Sequence, residues 1–306
     1  MIMVLRLKVS AYVRTQKSEL GITMRRFAFS LLTLFVLFAR VAQVHAAEPA
    51  QPALILAVHP YLPNVEIQQR FTPLADYLSK QLGRQVLVRV GRDYEQHIEA
   101  VGLNSIDIAF MGPASYVKMV ARYGPKPLLA RIEIKGRPLL SGYIVTNVNS
   151  PLHSLADLRG KRFAFADPDS TMGSIVPRYA MQQAGVGLKQ LDAYQHLSSH
   201  KDVALGVLNG DFDAGAIKSE IYDALAPRGL RVLAKLPDVS EHLFVTRADL
   251  PAAQVALLRQ ALLQLKNEPN GPAILSAINK DMTAMVPVVD DDYNSLRKLL
   301  STVKPE

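Results

Sequence analysis

Short runs of β-branched and other apolar residues recur along the chain from residue 54 onward. Their length, three to six residues, is that of buried strands and falls short of a helix. We predict nine strands, at residues 54–58, 85–90, 106–111, 128–132, 142–146, 162–166, 214–217, 232–234 and 243–246. Strands of this kind, alternating with helices, are typical of parallel sheets covered by helices.

Between the strands, apolar residues recur with the period of an amphipathic helix. In the first such segment Phe71, Leu74, Leu78 and Leu82 share one face. The predicted helices span residues 66–82, 94–102, 114–123, 174–184, 201–209, 252–266 and 291–302. The alternation of the two patterns predicts an α/β protein.

The order of the elements indicates two lobes rather than two consecutive domains. Strand-like segments at residues 140–146 and 243–246 lie where the chain can cross between lobes twice. We therefore predict one lobe from residues 47–140 and 246–306, and an inserted lobe from residues 141–245. A cleft between two such lobes is a natural site for a small ligand.

The first 46 residues have the layout of a secretory signal. Arg25 and Arg26 precede an apolar run at residues 27–39, and small residues follow up to Ala46. The run is short of the roughly 20 residues that cross a membrane, so a signal cleaved after Ala46 is favoured over a permanent anchor. Met24 fits as the natural start, which leaves residues 1–23 as an over-extended reading frame. The signal predicts a periplasmic protein.

Charge and cysteine content exclude several classes of function. The net charge of +8 falls to +2 without residues 1–46, which hold seven basic residues and one acidic residue. A nearly balanced chain gives no electrostatic reason to expect nucleic acid. The chain has no cysteine, so disulfides, thiolate metal sites and cysteine nucleophiles are absent.

The segment DPDSTMG, at residues 167–173, follows a predicted strand and opens a helix. Ser170 and Thr171 would then stand at a helix N-terminus, where free N–H groups and the helix dipole favour an anion. Gly173 would let an oxyanion approach the backbone. The alternative is a simple N-cap, because serine and threonine cap many helices that bind nothing.

Further polar residues follow the neighbouring predicted strands. His200 opens the next helix, and Glu220 comes just after the strand at residues 214–217. Strand C-termini and helix N-termini converge on one edge of a parallel sheet, which would bring these residues to Ser170 and Thr171. His200 can donate to an oxyanion and titrate near neutrality, although a local hydrogen bond is its other interpretation. The remaining histidines show no metal-ligand spacing and are read as structural or surface positions.

The first predicted lobe and the predicted crossing between lobes offer three more candidates. Residues 112–116 (GPASY) follow a strand and open a helix, so their backbone N–H groups can face the same cleft. Tyr94 begins another helix, and Tyr143 lies near the predicted crossing between lobes. Buried tyrosines often only pack, so each remains a candidate.

Taken together, five segments resemble the periplasmic phosphate-, phosphite- and phosphonate-binding proteins of ABC importers. They are residues 71–78 (FTPLADYL), 107–116 (DIAFMGPASY), 155–161 (LADLRGK), 167–173 (DPDSTMG) and 199–216. Each segment alone is weak, whereas their order and spacing over about residues 54–265 are specific.

The resemblance implies a type II periplasmic-binding-protein fold that closes on a small oxyanion by hinge bending. It also implies a ligand set for the anion and for an amino substituent of the ligand: Ser170, Thr171, Met172, Gly173, His200, Tyr94, Tyr143 and Glu220. Glu220 would meet the amino substituent. At three positions the chain departs from the family pattern: Met172 replaces a small hydroxyl residue, Ser199 replaces a glycine, and His242 stands where an acid can contact ligand. These departures concern the end of the ligand opposite its anionic group.

The function that these features predict is binding for an ABC importer. We expect a monomer that captures a phosphonate, phosphite or phosphate-like oxyanion, needs no cofactor or metal, and docks on an ABC permease. A periplasmic module that reports to a signalling receptor is the alternative. An enzyme is disfavoured, since the chain has no nucleophile elbow, P-loop or metal cluster in its sequence.

Overall fold

The computed structural model describes residues 51–302. From Pro52 onward these residues form one compact unit. The predicted signal at residues 1–46 lies outside the described residues.

Residues 51–302 contain thirteen strands, which we number in chain order. They are β1 (Leu54–Val58), β2 (Val86–Val90), β3 (Ile108–Met111), β4 (Leu128–Ile134), β5 (Leu139–Leu140), β6 (Gly142–Asn147), β7 (Arg162–Phe165), β8 (Ala193–His196), β9 (Ala214–Lys218), β10 (Leu230–Lys235), β11 (Val239–Ser240), β12 (Leu243–Thr246) and β13 (Met282–Val286).

Nine α-helices connect the strands within residues 51–302. They are α1 (Asn64–Leu82), α2 (Tyr94–Gly102), α3 (Pro113–Tyr123), α4 (Val176–Gln183), α5 (His200–Asn209), α6 (Ser219–Leu225), α7 (Ala252–Gln264), α8 (Gly271–Ile278) and α9 (Asn294–Thr302). The predicted α/β class is confirmed.

The strands form two main sheets. The first sheet has the order β13-β4-β12-β3-β1-β2, and the second has the order β10-β6-β9-β7-β8. A short ribbon of β11 and β5 completes the set. The first sheet therefore takes strands from both ends of the described chain, and the second takes them from its middle. The lobe boundaries that we predicted stay a prediction, because all these elements belong to one compact unit.

The expectation of parallel sheets is wrong for several strands. β1 runs parallel to β2 and β3, and β7 runs parallel to β8 and β9. In contrast, β12 is antiparallel to β3 and β4, and β6 is antiparallel to β9 and β10. Both β6 and β12 enter their sheet after a short ribbon strand, without the helical crossover that a parallel neighbour requires.

The central strands form the core of each sheet, and several strands end in the same region. Every residue of β3, β9 and β12 is buried. In the first sheet His59 directly follows β1, and Gly112 directly follows β3. In the second sheet residues 166–170 follow β7, and Lys218 ends β9. The candidate site is built from these strand ends.

Candidate functional site

The segment after β7 forms a tight polar turn. Ser170 caps a single π-helical turn, Thr171–Ile175, that continues into α4. Its Oγ accepts a hydrogen bond from the Gly173 N–H at 3.2 Å. A Cβ on Gly173 would lie 2.3 Å from the Cβ of Ala166 and 2.9 Å from Cε1 of His200, so only glycine fits. The turn is thus both a helix cap and a closely packed wall.

His200 begins α5 and lies against this turn. Its Nε2 lies 3.1 Å from Ser170 Oγ, and the backbone N–H of Lys218 donates to its Nδ1 at 3.3 Å. Because an N–H group only donates, Nδ1 is the acceptor and the neutral ring carries its proton on Nε2. Nε2 therefore donates to Ser170.

His200 is a neutral donor at physiological pH. Burial lowers its pKa to about 3, and the ammonium group of Lys218 lowers it in the same direction. The expectation that His200 titrates near neutrality is wrong, because the sequence does not reveal how deeply its ring is buried.

The Ser170 hydroxyl group must act as a hydrogen-bond donor, because two other groups already donate to its oxygen. Its oxygen already accepts from Gly173 and from His200, which uses both of its lone pairs. The hydroxyl hydrogen must therefore point to another acceptor. Tyr94, the first residue of α2, is within hydrogen-bonding reach, and burial raises the pKa of this tyrosine while the bond to Ser170 lowers it.

The start of α3 meets the turn from the side of the first sheet. The Ala114 N–H donates to Thr171 Oγ1 at 3.0 Å. Helix α3 has Pro113 in its first turn and no side-chain cap, so its first N–H groups are available to outside acceptors. Of this segment, the Ala114 N–H contacts Thr171, whereas the Tyr116 N–H donates to the Gly112 carbonyl within the helix.

These groups enclose a small cavity. It is lined by Ser170, Thr171, Met172, His200, Tyr94, Gly112, His59, Tyr61, Leu140, Lys218 and His242. Its volume is about 10 Å³, which is room for roughly one water molecule. Five of the eight predicted site residues line this small cavity, and Gly173 supports it through Ser170.

A large cavity of about 200 Å³ adjoins the small one and shares Tyr61, Leu140, Lys218 and His242 with it. Tyr143 and Glu220 line the large cavity and not the small one. The Tyr143 ring packs edge-on against Tyr222, with ring centroids 5.1 Å apart. These two predicted residues are therefore not brought to the Ser170 turn.

Both carboxylate oxygens of Glu220 are occupied within the chain. Oε1 pairs with Nη1 of Arg70 at 2.6 Å, and Oε2 pairs with Nζ of Lys218 at 2.6 Å. Burial opposes ionisation of Glu220, but Lys218 and Arg70 outweigh it and lower its pKa to about 2. The Lys218 ammonium also lies 4.0 Å from the centre of the Tyr61 ring, a cation–π distance. Glu220 is a charged and satisfied partner of Lys218.

The sequence interpretation missed four residues of the small cavity, His59, Tyr61, Leu140 and Lys218, and placed His242 there only through the family resemblance. His59 and Lys218 stand at the C-terminal ends of β1 and β9, so the rule that selected His200 and Glu220 would have found them. His242 precedes β12, an antiparallel strand whose first residue pairs with Met111 at the end of β3. Its place depends on a strand direction that the sequence does not show.

The histidines of this region stack on one another. The rings of His59 and His242 lie 5.3 Å apart at an angle of 11°. Within residues 51–302 no group of histidine, aspartate or glutamate side chains has a geometry that could hold a metal ion. In the same range, none of the helices combines the length and the apolar character of a membrane span.

Comparison with known proteins gives a consistent match. A family model of ABC transporter, phosphonate, periplasmic substrate-binding proteins matches residues 56–293. The phosphate-import protein PhnD of Mycolicibacterium smegmatis is 27% identical over 289 residues, covering 86% of this chain and 90% of that protein. The phosphonates-binding periplasmic protein of Escherichia coli is 25% identical over 262 residues, covering 82% of this chain and 77% of that protein.

A solved structure shows the same architecture. PhnD1 from Prochlorococcus marinus, determined in complex with methylphosphonate, superposes with a TM-score of 0.74 at 22% identity. The match covers 81% of this chain and 96% of that one. The fold is that of the type II periplasmic binding proteins, as the resemblance implied.

Proposed function

The chain belongs to the family of periplasmic substrate-binding proteins of ABC phosphonate transporters, and from this premise we propose that its small cavity binds a small phosphonate, phosphite or phosphate-like oxyanion. Proteins of this family bind a transported solute and are not enzymes. The mechanism to explain is therefore recognition and release.

The observation that carries the proposal is the convergence of hydrogen-bond donors on one small space. The Ser170 hydroxyl acts as a donor and can turn from Tyr94 to a ligand, and Thr171 can donate its own hydroxyl hydrogen. An oxyanion placed between them would accept from both hydroxyls and, once its bond to Thr171 opens, from the Ala114 N–H at the positive end of α3. Uncharged donors of this kind suit a tetrahedral anion held in a dry site.

The two walls of the small cavity come from different sheets. Ser170, Thr171 and His200 follow strands of the second sheet, whereas Tyr94 and Ala114 follow strands of the first. A ligand that contacts both walls stabilises the state in which they meet. At about 10 Å³ the cavity is smaller than any phosphonate, so the walls must separate for the ligand to enter. We propose that this separation is the opening step.

Two ion pairs also join the walls and set the stability of the closed state. Lys118 of α3 contacts Asp169 beside the Ser170 turn at 2.7 Å. Arg70 of α1 contacts Glu220 of α6 at 2.6 Å. Both pairs are partly buried, so they contribute more than exposed pairs do. They would break on opening and re-form around the ligand.

The charged residues around Glu220 favour ligands without an amino group. A carboxylate that recognises an ammonium group must carry negative charge that is not already balanced, and Arg70 and Lys218 each pair with one oxygen of Glu220. An added ammonium group would also face the Lys218 ammonium. We therefore propose that methylphosphonate, phosphite or phosphate is preferred over an aminoalkylphosphonate.

The setting of this function follows from the family and from the N-terminal pattern. The family is periplasmic. We propose that export uses a signal cleaved after Ala46, and that the mature chain is a monomer that delivers its ligand to an ABC permease. Intact mass and size-exclusion chromatography with light scattering of the exported protein would test the cleavage site and the monomer.

Calorimetry on residues 47–306 tests the ligand class. Methylphosphonate, phosphite, phosphate and 2-aminoethylphosphonate are titrated in turn, and we expect at least one of the first three to bind with a micromolar or lower Kd. A ligand at 100 times its Kd should stabilise the protein by about 2.7 kcal/mol, which a melting curve detects. The proposal fails if none of the four anions binds. Its charge argument fails if 2-aminoethylphosphonate binds tightest.

A further inference from the structure

One nitrogen of the small cavity is buried without a partner. His59 directly follows β1 and is 1% exposed. Its Nε2 has no hydrogen-bond partner within the range of residues, 51–302, that the structure describes. Ser115 Oγ, in the first turn of α3, is also buried and lacks a partner in that range. Buried polar atoms are normally paired, so each of these atoms points to a bound group.

The other nitrogen of His59 fixes what Nε2 can do. Nδ1 lies 3.2 Å from the Phe110 carbonyl oxygen, which can only accept, so Nδ1 carries the hydrogen. In a neutral imidazole the second nitrogen is then an acceptor. Burial lowers the pKa of His59 well below 6.5, and His242 and His97 add to this effect, so the ring is neutral at physiological pH. Nε2 therefore presents a lone pair.

This lone pair is aimed at the anion site. A methyl group on Gly112 would lie 3.8 Å from His59 Nε2 and 3.7 Å from both His242 Nε2 and Ser115 Oγ. Gly112 precedes α3 and lines the small cavity together with Ser170 and Thr171. An oxygen held beside Gly112 would thus meet N–H donors from the helix start and an acceptor from His59.

We propose that Nε2 of His59 accepts a hydrogen bond from a protonated oxygen of the bound ligand, so that the small cavity selects oxyanions that still carry a P–O–H group. This inference rests on the proposed function, because it needs a tetrahedral oxyanion in the small cavity. It adds a specificity-determining residue outside the predicted set and explains why a histidine, and not only donors, lines an anion site.

The consequence is discrimination between phosphorus and sulfur oxyanions. A phosphate-type group keeps one proton below its second pKa, which lies near 6 for phosphate esters. A sulfonate has no such proton near neutrality. Its oxygen would face the lone pair of His59 and leave this buried nitrogen unpaired. Sites built to bond a ligand hydroxyl reject analogues that lack it by large factors, so we expect at least a 100-fold preference for the phosphonate.

Several titratable groups face His59 and must be controlled in any pH experiment. They are Tyr61, Tyr94, His97, His242 and Lys218. Behind them, the Glu241 carboxylate lies 2.6 Å from Nδ1 of His242. Each His59 variant is therefore compared with the wild type at the same pH, so that titration of these neighbours cancels.

The test is calorimetry with methylphosphonate and methanesulfonate, which have the same shape and differ in the ability to hold a proton. Titrations in two buffers of different ionisation enthalpy count the protons taken up on binding. At a pH above the second pKa of methylphosphonate, the wild type should take up close to one proton per ligand. Its affinity should fall about tenfold per pH unit there, because the bound form keeps the proton that the free dianion has lost.

Three variants locate the acceptor. His59→Phe should lose the proton uptake and at least a factor of ten in the preference for methylphosphonate. His59→Gln, which retains an accepting oxygen, should keep most of both. His97→Phe is the matched control: His97 is also buried with an unpartnered Nε2 among residues 51–302, but it does not line the small cavity, so both properties should persist.

The outcomes separate this inference from the proposed function. Equal affinity of the wild type for the two anions, or binding of methylphosphonate without proton uptake, overturns the role of His59 and leaves anion binding intact. Unchanged preference in His59→Phe overturns it as well, and the wild-type measurements decide even if a variant does not fold. Binding of neither anion overturns the proposed function and this inference together.

Discussion

The small and the large cavity share four residues and differ in how their polar groups are used. In the small cavity the Ser170 hydroxyl must donate and His59 Nε2 has no partner within residues 51–302. In the large cavity the charged groups pair with one another: Lys218 with Glu220 at 2.6 Å, and Lys135 with Asp281 at 3.2 Å. The large cavity, although it contains more charged groups, therefore has fewer unpaired groups that could bind a ligand. Hydrogen-bonding capacity that is still unused distinguishes a binding site better than charge density does.

The difference also bears on the charge of the small cavity, the anion site that we propose. Lys218 is the basic residue common to both cavities, and Glu220 balances it. Long-range attraction is thereby reduced, and selection depends on short hydrogen bonds with fixed directions. Such a site distinguishes tetrahedral oxyanions by their protons and substituents rather than by charge alone.

Acid should produce the largest change in stability, through the buried histidines. His200 has a pKa of about 3 in the folded chain against 6.5 when exposed, and His97 has a pKa of about 4. Unfolded histidines bind protons below pH 6.5 while these do not, so stability is lost as the pH falls below 6.5. The loss is about 2 kcal/mol for each such histidine at pH 5.

Urea unfolding at pH 7.5 and pH 5.0 measures this loss. His59 acts in the same direction, because burial also lowers its pKa. Glu220, whose pKa is about 2, stays charged over this range, so its ion pairs with Lys218 and Arg70 persist. A free energy of unfolding that is equal at the two pH values would contradict the neutral, buried state of the histidines.

Thr171→Val should produce the largest effect on binding. The substitution keeps the shape of the side chain and removes its hydroxyl, so an oxyanion loses one hydrogen bond. A charge-assisted bond is worth about 1.5–3 kcal/mol, or roughly 10- to 150-fold in Kd. Calorimetry with the best ligand gives this change directly.

Thr146→Val is the matched control for Thr171→Val. Thr146 is buried in β6 and its Oγ1 donates to the Asp213 carbonyl at 2.7 Å, away from both cavities. This variant should lose about 1 kcal/mol of stability and bind as the wild type does. If Thr171→Val behaves like Thr146→Val, the Ser170 turn is a helix cap and the anion binds elsewhere.

Lys218→Met tests the one cation that both cavities share. Its loss removes an attraction and exposes the charge of Glu220 to the ligand, so anion affinity should fall about tenfold, or about 1.4 kcal/mol. An aminoalkylphosphonate should lose less, because Glu220 then has a free oxygen. Lys135→Met, which affects the large cavity only, should change Kd less than about twofold, since Lys135 is exposed and already paired. Equal effects of the two substitutions would refute the distinction between the cavities.

Tyr143→Phe should have the smallest effect. Tyr143 lines the large cavity and packs against Tyr222, so removing its hydroxyl should leave Kd within about twofold of the wild type. A tenfold loss would show that the ligand reaches the large cavity and would restore Tyr143 to the site.

Many elements with strong apolar patterns were predicted well, but α8 and β13 were missed although both are largely apolar, and several weakly patterned elements were missed too. The bounds of β1, β12 and α2 are those predicted. β8 was missed because its residues are mostly exposed and it lies at a sheet edge, where no alternation is needed. α6 is seven residues long, too short for a helical period to show.

The same contrast holds within the site. Ser170, Thr171 and His200 were predictable because each follows a strand and opens a helix, so its place depends on local sequence. The pairing of Glu220 with Arg70 joins residues 150 positions apart and turns a predicted ligand contact into an internal ion pair. The free nitrogen of His59 depends on the Phe110 carbonyl, 51 positions away. Nothing in the local sequence of either residue indicates these partners.

A crystal structure of the mature chain with methylphosphonate tests the central claim most directly. The account predicts the phosphorus atom in the small cavity, with Ser170 Oγ, Thr171 Oγ1 and the Ala114 N–H each about 2.5–3.2 Å from a phosphonate oxygen. The ion pair of Lys218 with Glu220 should persist beside it. A ligand bound in the large cavity, against Lys135 and Arg137 and away from the Ser170 turn, would contradict the account.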